Sequence, residues 1–220
     1  PIPDEAGLGE LLAEVVRAGN LRATTGTAAA VAEASTVLFA VAVDVDRAGH
    51  ADLTSLLAAC DAVASGMQAG TLCIFDTTLP VGTTRSVLAR RLEQRGMIEG
   101  QDFEVAFSPE RLLMGRVIED LTKYPKVVGG LTQEAGRRAA AFFREALGGA
   151  VMELPSAEAA ELSKLAEGAY RDLNIALANE LAQVADVHRV DIADVLRAAN
   201  SQPYSHIHVP GTGVGGHCIP

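Results

Sequence analysis

The chain has 220 residues, enough for one large domain or two small ones with a real core. With 49% hydrophobic and 21% charged residues it has the balance of a soluble globular protein. The 28 acidic against 18 basic residues give a formal charge of -10 and leave no basic patch, which argues against nucleic acid and acidic membrane surfaces as partners.

In chain order, Leu8 to Ala18 has helical spacing, with Leu8, Leu11, Leu12, Val15 and Val16 on one side and Gly19-Asn20 as a stop. Leu21 to Thr25 reads as a short strand, Thr27 to Ala34 as an Ala-rich helix, and Thr36 to Val43 as a fully buried strand. Asp52 to Met67 reads as a helix, Thr71 to Phe75 as a strand and Val81 to Arg95 as another helix. Strands follow at Phe103 to Phe107 and Lys126 to Val128. Thr132 then caps a helix to about Ala146, before a last strand at Ala150 to Leu154. Strands alternating with helices, several of them apolar throughout, indicate an α/β fold with a parallel sheet covered on both faces. Ligands bind beyond the carboxyl ends of such strands, so Asp44 to Arg47, Asp76 to Thr84 and Ser108 to Gly115 are the segments to inspect.

The pattern changes after Pro155. Ser156 to about Val187 contains no Pro and one Gly, with Leu162, Leu165, Ala169, Leu173, Ala176 and Leu177 at helical spacing. Such a helix is roughly 45 to 50 Å long; it protrudes from a small domain unless something packs along it, and a second subunit is the simplest candidate. Asp191 to Ala199 adds a short helix and Asn200 to Pro220 is irregular. The longest strongly apolar run, Thr36 to Val43, is far too short to span a bilayer. Three widely spaced cysteines, Cys60, Cys73 and Cys218, argue against a disulfide framework and for a reducing compartment, the cytoplasm by default. A start at Pro1 without Met and an end two residues after Cys218 suggest a piece of a longer protein.

Several segments carry candidate chemistry. Pro210 to Cys218 is rich in glycine, which lets backbone approach a ligand closely, and a thiolate there is a strong nucleophile for an aldehyde carbon. A flexible loop ending in an inert cysteine fits the same composition. Lys164 and Arg171, seven residues apart, share a helix face with Gly168 between them. That face reads as a ligand-facing cationic pair or as a solvated stripe paired with Glu161 and Glu167. Asp76 to Thr84 can hold water or a cofactor at a helix start, or merely cap it. Glu110 beside Arg111 is a cleft pair or a surface ion pair. His206 and His208, with His217 and Cys218, match no common closed zinc site, so no metal is expected.

Taken together, Glu5 to Leu8, Leu21 to Thr25, Thr77 to Thr84, Ser108 to Leu112 with Gly115, Lys126 to Gly130, Leu162 to Glu167, Tyr170 to Glu180 and Pro210 to Pro220 resemble the UDP-glucose/GDP-mannose dehydrogenase family. Each piece is modest; their order and spacing are specific, and the form around Cys218 is similar to the UDP-N-acetylhexosamine branch. The resemblance implies a partial Rossmann-like NAD-binding domain over residues 1–154. A central helical domain would follow over 155–220, dimerising through helix 156–187 and carrying the cysteine loop. It implies NAD-dependent, two-step oxidation of a UDP-N-acetylhexosamine at C6, with UDP-glucose or GDP-mannose oxidation, or a non-catalytic binding remnant, as alternatives. Cys218 is then the nucleophile. Lys164 stabilises the oxyanion or donates a proton, and Glu110 and Thr78 position or deprotonate water. Thr78 with Val41, Ala42 and Val43 meets NAD. Arg111, Leu112, Lys164, Arg171, Tyr204 and Gly215 meet the nucleotide sugar.

The sequence departs from the family pattern at several places. No GxGxxG turn precedes Pro1, and the Asp expected four residues after the cysteine and the UDP-binding domain are not in the chain. Ala42, Val43 and Asp44 stand where the family has Pro-Thr-Pro, Gly168 stands for Asn, Gln202 for His, and Met114 for the Glu of the UDP-glucose branch. The parent protein is expected to be a dehydrogenase and this piece alone inactive.

Overall fold

The computed structural model describes residues 5–112 and 115–213. Two compact units divide between Lys164 and Leu165.

The first unit opens with α1 (Leu8–Arg17) and α2 (Thr27–Ala32), followed by β1 (Thr36–Phe39), the short β2 (Asp44–Val45) and β3 (Ala51–Asp52), and α3 (Thr54–Ala64). After β4 (Leu72–Phe75) a π-helical stretch, Thr84–Ala89, runs into α4 (Arg90–Leu92) and a 3-10 turn, Glu93–Arg95. Then come β5 (Glu104–Phe107), α5 (Val117–Lys123), β6 (Lys126–Gly130), α6 (Gln133–Leu147), β7 (Val151–Leu154) and the start of α7 (Ala157–His188). The five-stranded sheet has the order β1-β4-β5-β6-β7, while β2 and β3 form a separate antiparallel ribbon.

Alternation along the central strands shows why both faces are covered. Cys73, Phe75, Val105 and Phe107 point into one apolar cluster with Leu56, Leu88 and Leu92. Leu72, Ile74 and Ala106 point into another beneath Ala139 and Phe143 of α6. Neighbouring positions therefore serve opposite layers, which is what a strand buried on both sides requires. Phe39 and Phe75 stack across β1 and β4 with centroids 4.3 Å apart. As the sequence leads one to expect, the Thr132 hydroxyl caps α6 by accepting from Ala135 N at 2.9 Å, and Gly148 ends it at φ 65°.

The expected α/β architecture with a mostly parallel sheet and a long helix is present. Four local expectations need correction. Residues 21–25 form no strand; all five are exposed, and no strand among the described residues offers them a ladder. The run Thr36 to Val43 stays in the sheet only to Phe39, because Asp44 and Val45 turn out to pair with Ala51 and Asp52. That pairing also delays α3 to Thr54. A short helix, α5, occupies the connection before β6, where none was expected.

The fourth correction concerns direction. β6 runs antiparallel to β5, with Ala106 opposite Gly130 and Phe107 opposite Gly129. Every other ladder of this sheet is parallel. The chain leaves β5 at its carboxyl end and re-enters there through the 108–125 connection, so no crossover helix is needed. As a result β6 begins, rather than ends, at the ligand-bearing edge.

The second unit consists of the rest of α7 and α8 (Ile192–Ala199), which Asp191 caps through Ala193 N at 2.8 Å. At 32 residues, α7 is roughly 48 Å long. Asparagines on it hold the following irregular segment in place. Asn174 donates to His206 O at 2.6 Å and accepts from His208 N at 2.9 Å, and Asn179 accepts from Gly211 N at 2.9 Å. Among the described residues no helix is long and apolar enough to cross a membrane.

Candidate functional site

β1, β4 and β5 are parallel and in register, so their carboxyl ends make one rim. Of the three segments singled out, two remain on it. The third, Asp44 to Arg47, is drawn into the β2–β3 ribbon, where the Asp46 carboxylate accepts from Ala48 N and His50 N at 2.8 and 2.9 Å. Those amides, His50 first, hold Asp46 below the usual carboxylate range. It is a turn-forming aspartate.

On the rim, the Thr77 hydroxyl donates to Val41 O at 2.5 Å and so ties the ends of β1 and β4 together. Val41 and Val43 pack their side chains on the core, whereas Ala42 and Thr78 are exposed. The 41–43 segment and Thr78 thus lie beside one another at the strand ends, where α/β sheets bind ligands.

Glu110 is reached by a similar stitch. Its N–H donates to Asp76 O at 3.2 Å, so the segment after β5 follows the segment after β4. The side chain then folds back: Oε1 accepts from Arg111 N at 2.6 Å and Leu112 N at 2.9 Å. Its other oxygen accepts from Lys126 Nζ at 3.3 Å, and the same ammonium donates to Asp76 Oδ1 at 2.9 Å. Lys126 lies 5.0 Å from the centroid of Phe143. Asp76 and Lys126 are 12% and 11% exposed, Glu110 43%. Burial pushes the Asp76 carboxyl above its ordinary range, with the Lys126 charge opposing the shift. Arg111 donates to Pro125 O at 3.0 Å. Glu110, Arg111, Leu112, Asp120, Tyr124 and Lys126 line a small cleft open to solvent.

Lys164 is half-buried on α7, one turn beyond Glu161. Glu161 does not form the basic-stripe ion pair that its spacing suggested. It is fully buried, and its carboxylate accepts from Gly82 N at 2.5 Å, Thr84 N at 2.9 Å and the Thr84 hydroxyl at 2.6 Å. Gly168 needs no small residue on steric grounds, since a Cβ there meets nothing within 4 Å. Arg171 and Tyr204 are exposed on the second unit, Tyr204 at 93%. Gly215 and Cys218, like Met114, lie outside the described residues. The structure thus gathers Val41 to Val43, Thr78 and Glu110 to Leu112 along one edge. Among the described residues no group of three His, Cys, Asp or Glu is placed to hold a metal ion.

Sequence reasoning missed Lys126, Glu161, Asn174 and Asn179. Lys126, Asn174 and Asn179 lie in segments quoted for the family resemblance and Glu161 directly precedes one, but nothing local in the sequence marks any of the four.

Cys60 and Cys73 are fully buried, and desolvation pushes both thiols up to about 12. A thiol reagent is therefore expected to label neither in the folded protein and both after denaturation. Rapid labelling of either one without unfolding contradicts this packing.

Residues 2–147 match the NAD binding domain of the UDP-glucose/GDP-mannose dehydrogenase family, and residues 158–220 match its central domain. A UDP-N-acetyl-D-mannosamine dehydrogenase of Salmonella typhi is 34% identical over 222 residues, covering 98% of this chain and 52% of its own length. An NDP-N-acetyl-D-galactosaminuronic acid dehydrogenase of Ralstonia solanacearum is 36% identical, with 98% and 51% covered. The solved structure of a UDP-D-ManNAc dehydrogenase from Pyrococcus horikoshii superposes with a TM-score of 0.92 at 36% identity, covering 98% of this chain and 51% of that one. The chain spans about half the length of the curated relatives it matches. With its rim of strand ends lying in an NAD binding domain and its long helix in a central domain, the chain belongs to the UDP-glucose/GDP-mannose dehydrogenase family.

Proposed function

We propose that the intact protein carrying this chain oxidises C6 of a UDP-N-acetylhexosamine, of the UDP-N-acetylmannosamine kind, to the carboxylate with two equivalents of NAD. The observation that carries the reading is the Glu110 carboxylate, fixed on two backbone amides and an ammonium at the carboxyl edge of an NAD binding domain. The three named relatives, each named for an N-acetylated sugar, support the substrate class.

NAD, when bound, takes up hydride from the sugar carbon; Val41 to Val43 and Thr78 would hold it on the rim. Residues 1–154 form the cofactor domain in this reading and residues 155–220 the central helical domain with the cysteine loop. The Cys218 thiolate adds to the C6 aldehyde left by the first oxidation, giving a thiohemiacetal. Loss of a second hydride gives a thioester, and water cleaves it to the acid and restores the thiol. Lys164, a cation held on a rigid helix, stabilises the oxyanion or returns the proton. Glu110 and Thr78 hold or deprotonate the water. Arg111, Leu112, Arg171, Tyr204 and Gly215 contact the sugar and its pyrophosphate. A homodimer through helix 156–187 covers exposed apolar side chains such as Leu173, Leu177 and Val184. The reaction takes place in the cytoplasm, where the thiol stays reduced.

The test is the stoichiometry of NADH formed by the intact protein with UDP-N-acetylmannosamine, UDP-N-acetylglucosamine, UDP-glucose and GDP-mannose. Two NADH per sugar are expected with an N-acetylated UDP-sugar, from a species that sediments as a dimer. A single NADH per sugar removes the thioester route, and none with any of the four leaves a non-catalytic binding role.

A further inference from the structure

We propose that Lys126 is a positioning residue for the dehydrogenase reaction, holding the Glu110 carboxylate in its working orientation while itself anchored by Asp76. The inference rests on the functional reading above and adds a residue that the family resemblance did not assign.

The argument begins with strand direction. A lysine at the first position of a parallel strand sits at the amino edge of the sheet, far from any ligand. Because β6 alone runs against its neighbour β5, its first residue is delivered to the opposite edge, where β4 and β5 end. The side chain is not solvated there. Only 11% of it is exposed, and its ammonium stands 5.0 Å from the Phe143 ring centroid while spanning Asp76 at 2.9 Å and Glu110 at 3.3 Å. A lysine gives up hydration in such a place only when carboxylates replace the water.

The two carboxylates are unequal partners. Asp76 is 12% exposed and follows directly from β4, so it is the fixed end of the pair. Glu110 is 43% exposed and sits in an irregular segment, so it is the end that needs holding. The Arg111 and Leu112 amides grip Oε1 and leave the other oxygen to rotate about the side-chain axis; Lys126 removes that freedom. Three donors on a half-exposed carboxylate leave its outward lone pairs aimed into the cleft that Glu110 and Lys126 both line. Lys126 reaches the reaction through Glu110, as an outer residue orients a ligating one.

A double-mutant cycle on the intact protein tests this, with NADH formation as readout and thermal melting as the check on folding. Lys126→Met is expected to lower kcat by about 100-fold, the cost of a misplaced catalytic group. KM for the UDP-sugar should move less than about threefold, and Lys126→Arg should recover most of the rate. Glu110→Gln is expected to lose as much as Lys126→Met or more, and the double variant to be no slower than Glu110→Gln alone. Losses that multiply in the double variant, or an unchanged kcat in Lys126→Met, overturn the inference while wild-type turnover leaves the functional reading intact. Should Lys126→Met fail to fold, Lys126→Gln replaces it in the cycle with the same two criteria. A wild-type protein that forms no NADH with any UDP-sugar removes the functional reading and this inference with it.

Discussion

Replacing Glu161 by Ala is expected to destabilise the first unit by roughly 4 kcal/mol, a large part of the 5–15 kcal/mol that holds such a domain folded. The carboxylate is fully buried and accepts three hydrogen bonds, two of them from Thr84, itself fully buried. Truncation strands the Gly82 and Thr84 amides and the Thr84 hydroxyl, and each unpaired donor costs about 1–3 kcal/mol where water cannot reach it. Glu161→Gln keeps one acceptor but turns an NH2 group toward a donor, so it should cost about half as much. Glu158, one turn earlier, is the internal control. Its partner Arg85 holds its pKa down at about 2, yet the two side chains are 30% and 50% exposed, so Glu158→Gln should cost at most about 1 kcal/mol. Urea denaturation of the three variants gives the order. A loss below about 1 kcal/mol in Glu161→Ala would mean that the 82–84 amides find other partners.

The same carboxylate illustrates how a local pattern misleads. Glu161 and Lys164 stand at the i and i+3 spacing that favours an ion pair on a solvated helix face. Nothing within the helix reveals that the 76–84 loop, some eighty residues earlier in the chain, covers that face and presents three donors. Strand identity was legible because β4 is apolar at every position and β5 at every position after Glu104, a demand imposed by burial on both faces. Strand direction was not, since a short apolar strand reads the same whether its neighbour is parallel or antiparallel. That gap hid Lys126, because the first residue of a parallel strand lies at the amino edge of the sheet, away from the ligand-bearing one. Glu110 and Thr78 were legible as strand-end positions, whereas the 41–43 segment was read as strand interior and came only from the family resemblance. Leu21 to Thr25 has the right composition for a strand, but composition supplies no neighbour to pair with.

Gly129→Ala is expected to cost roughly 3 kcal/mol or more, at or beyond the upper end of ordinary overpacking. A Cβ at this position would stand 2.0 Å from Ser156 O, 2.6 Å from Ser156 C and 3.0 Å from Ala157 N. All three are backbone atoms, so no rotamer change relieves the clash. Neither partner can retreat. Gly129 is paired on both sides, with Phe107 of β5 and Leu154 of β7, and Ser156 O accepts from Ala160 N in the first turn of α7, where Ala157 and Ala160 are fully buried. Gly168→Ala supplies the opposite sign: that glycine is inside α7 with nothing within 4 Å of a new Cβ, so the substitution should stabilise by about 1 kcal/mol through helix propensity alone. The pair of melts separates close approach from backbone freedom as the reason for a glycine. If Gly129→Ala folds with less than about 1 kcal/mol of loss, β6 does not lie against the start of α7 as described. Because Lys126 is three residues back on the same strand, any shift of β6 that accommodates the methyl group also moves the ammonium away from Asp76 and Glu110. A folded Gly129→Ala protein is therefore expected to lose turnover out of proportion to its loss of stability.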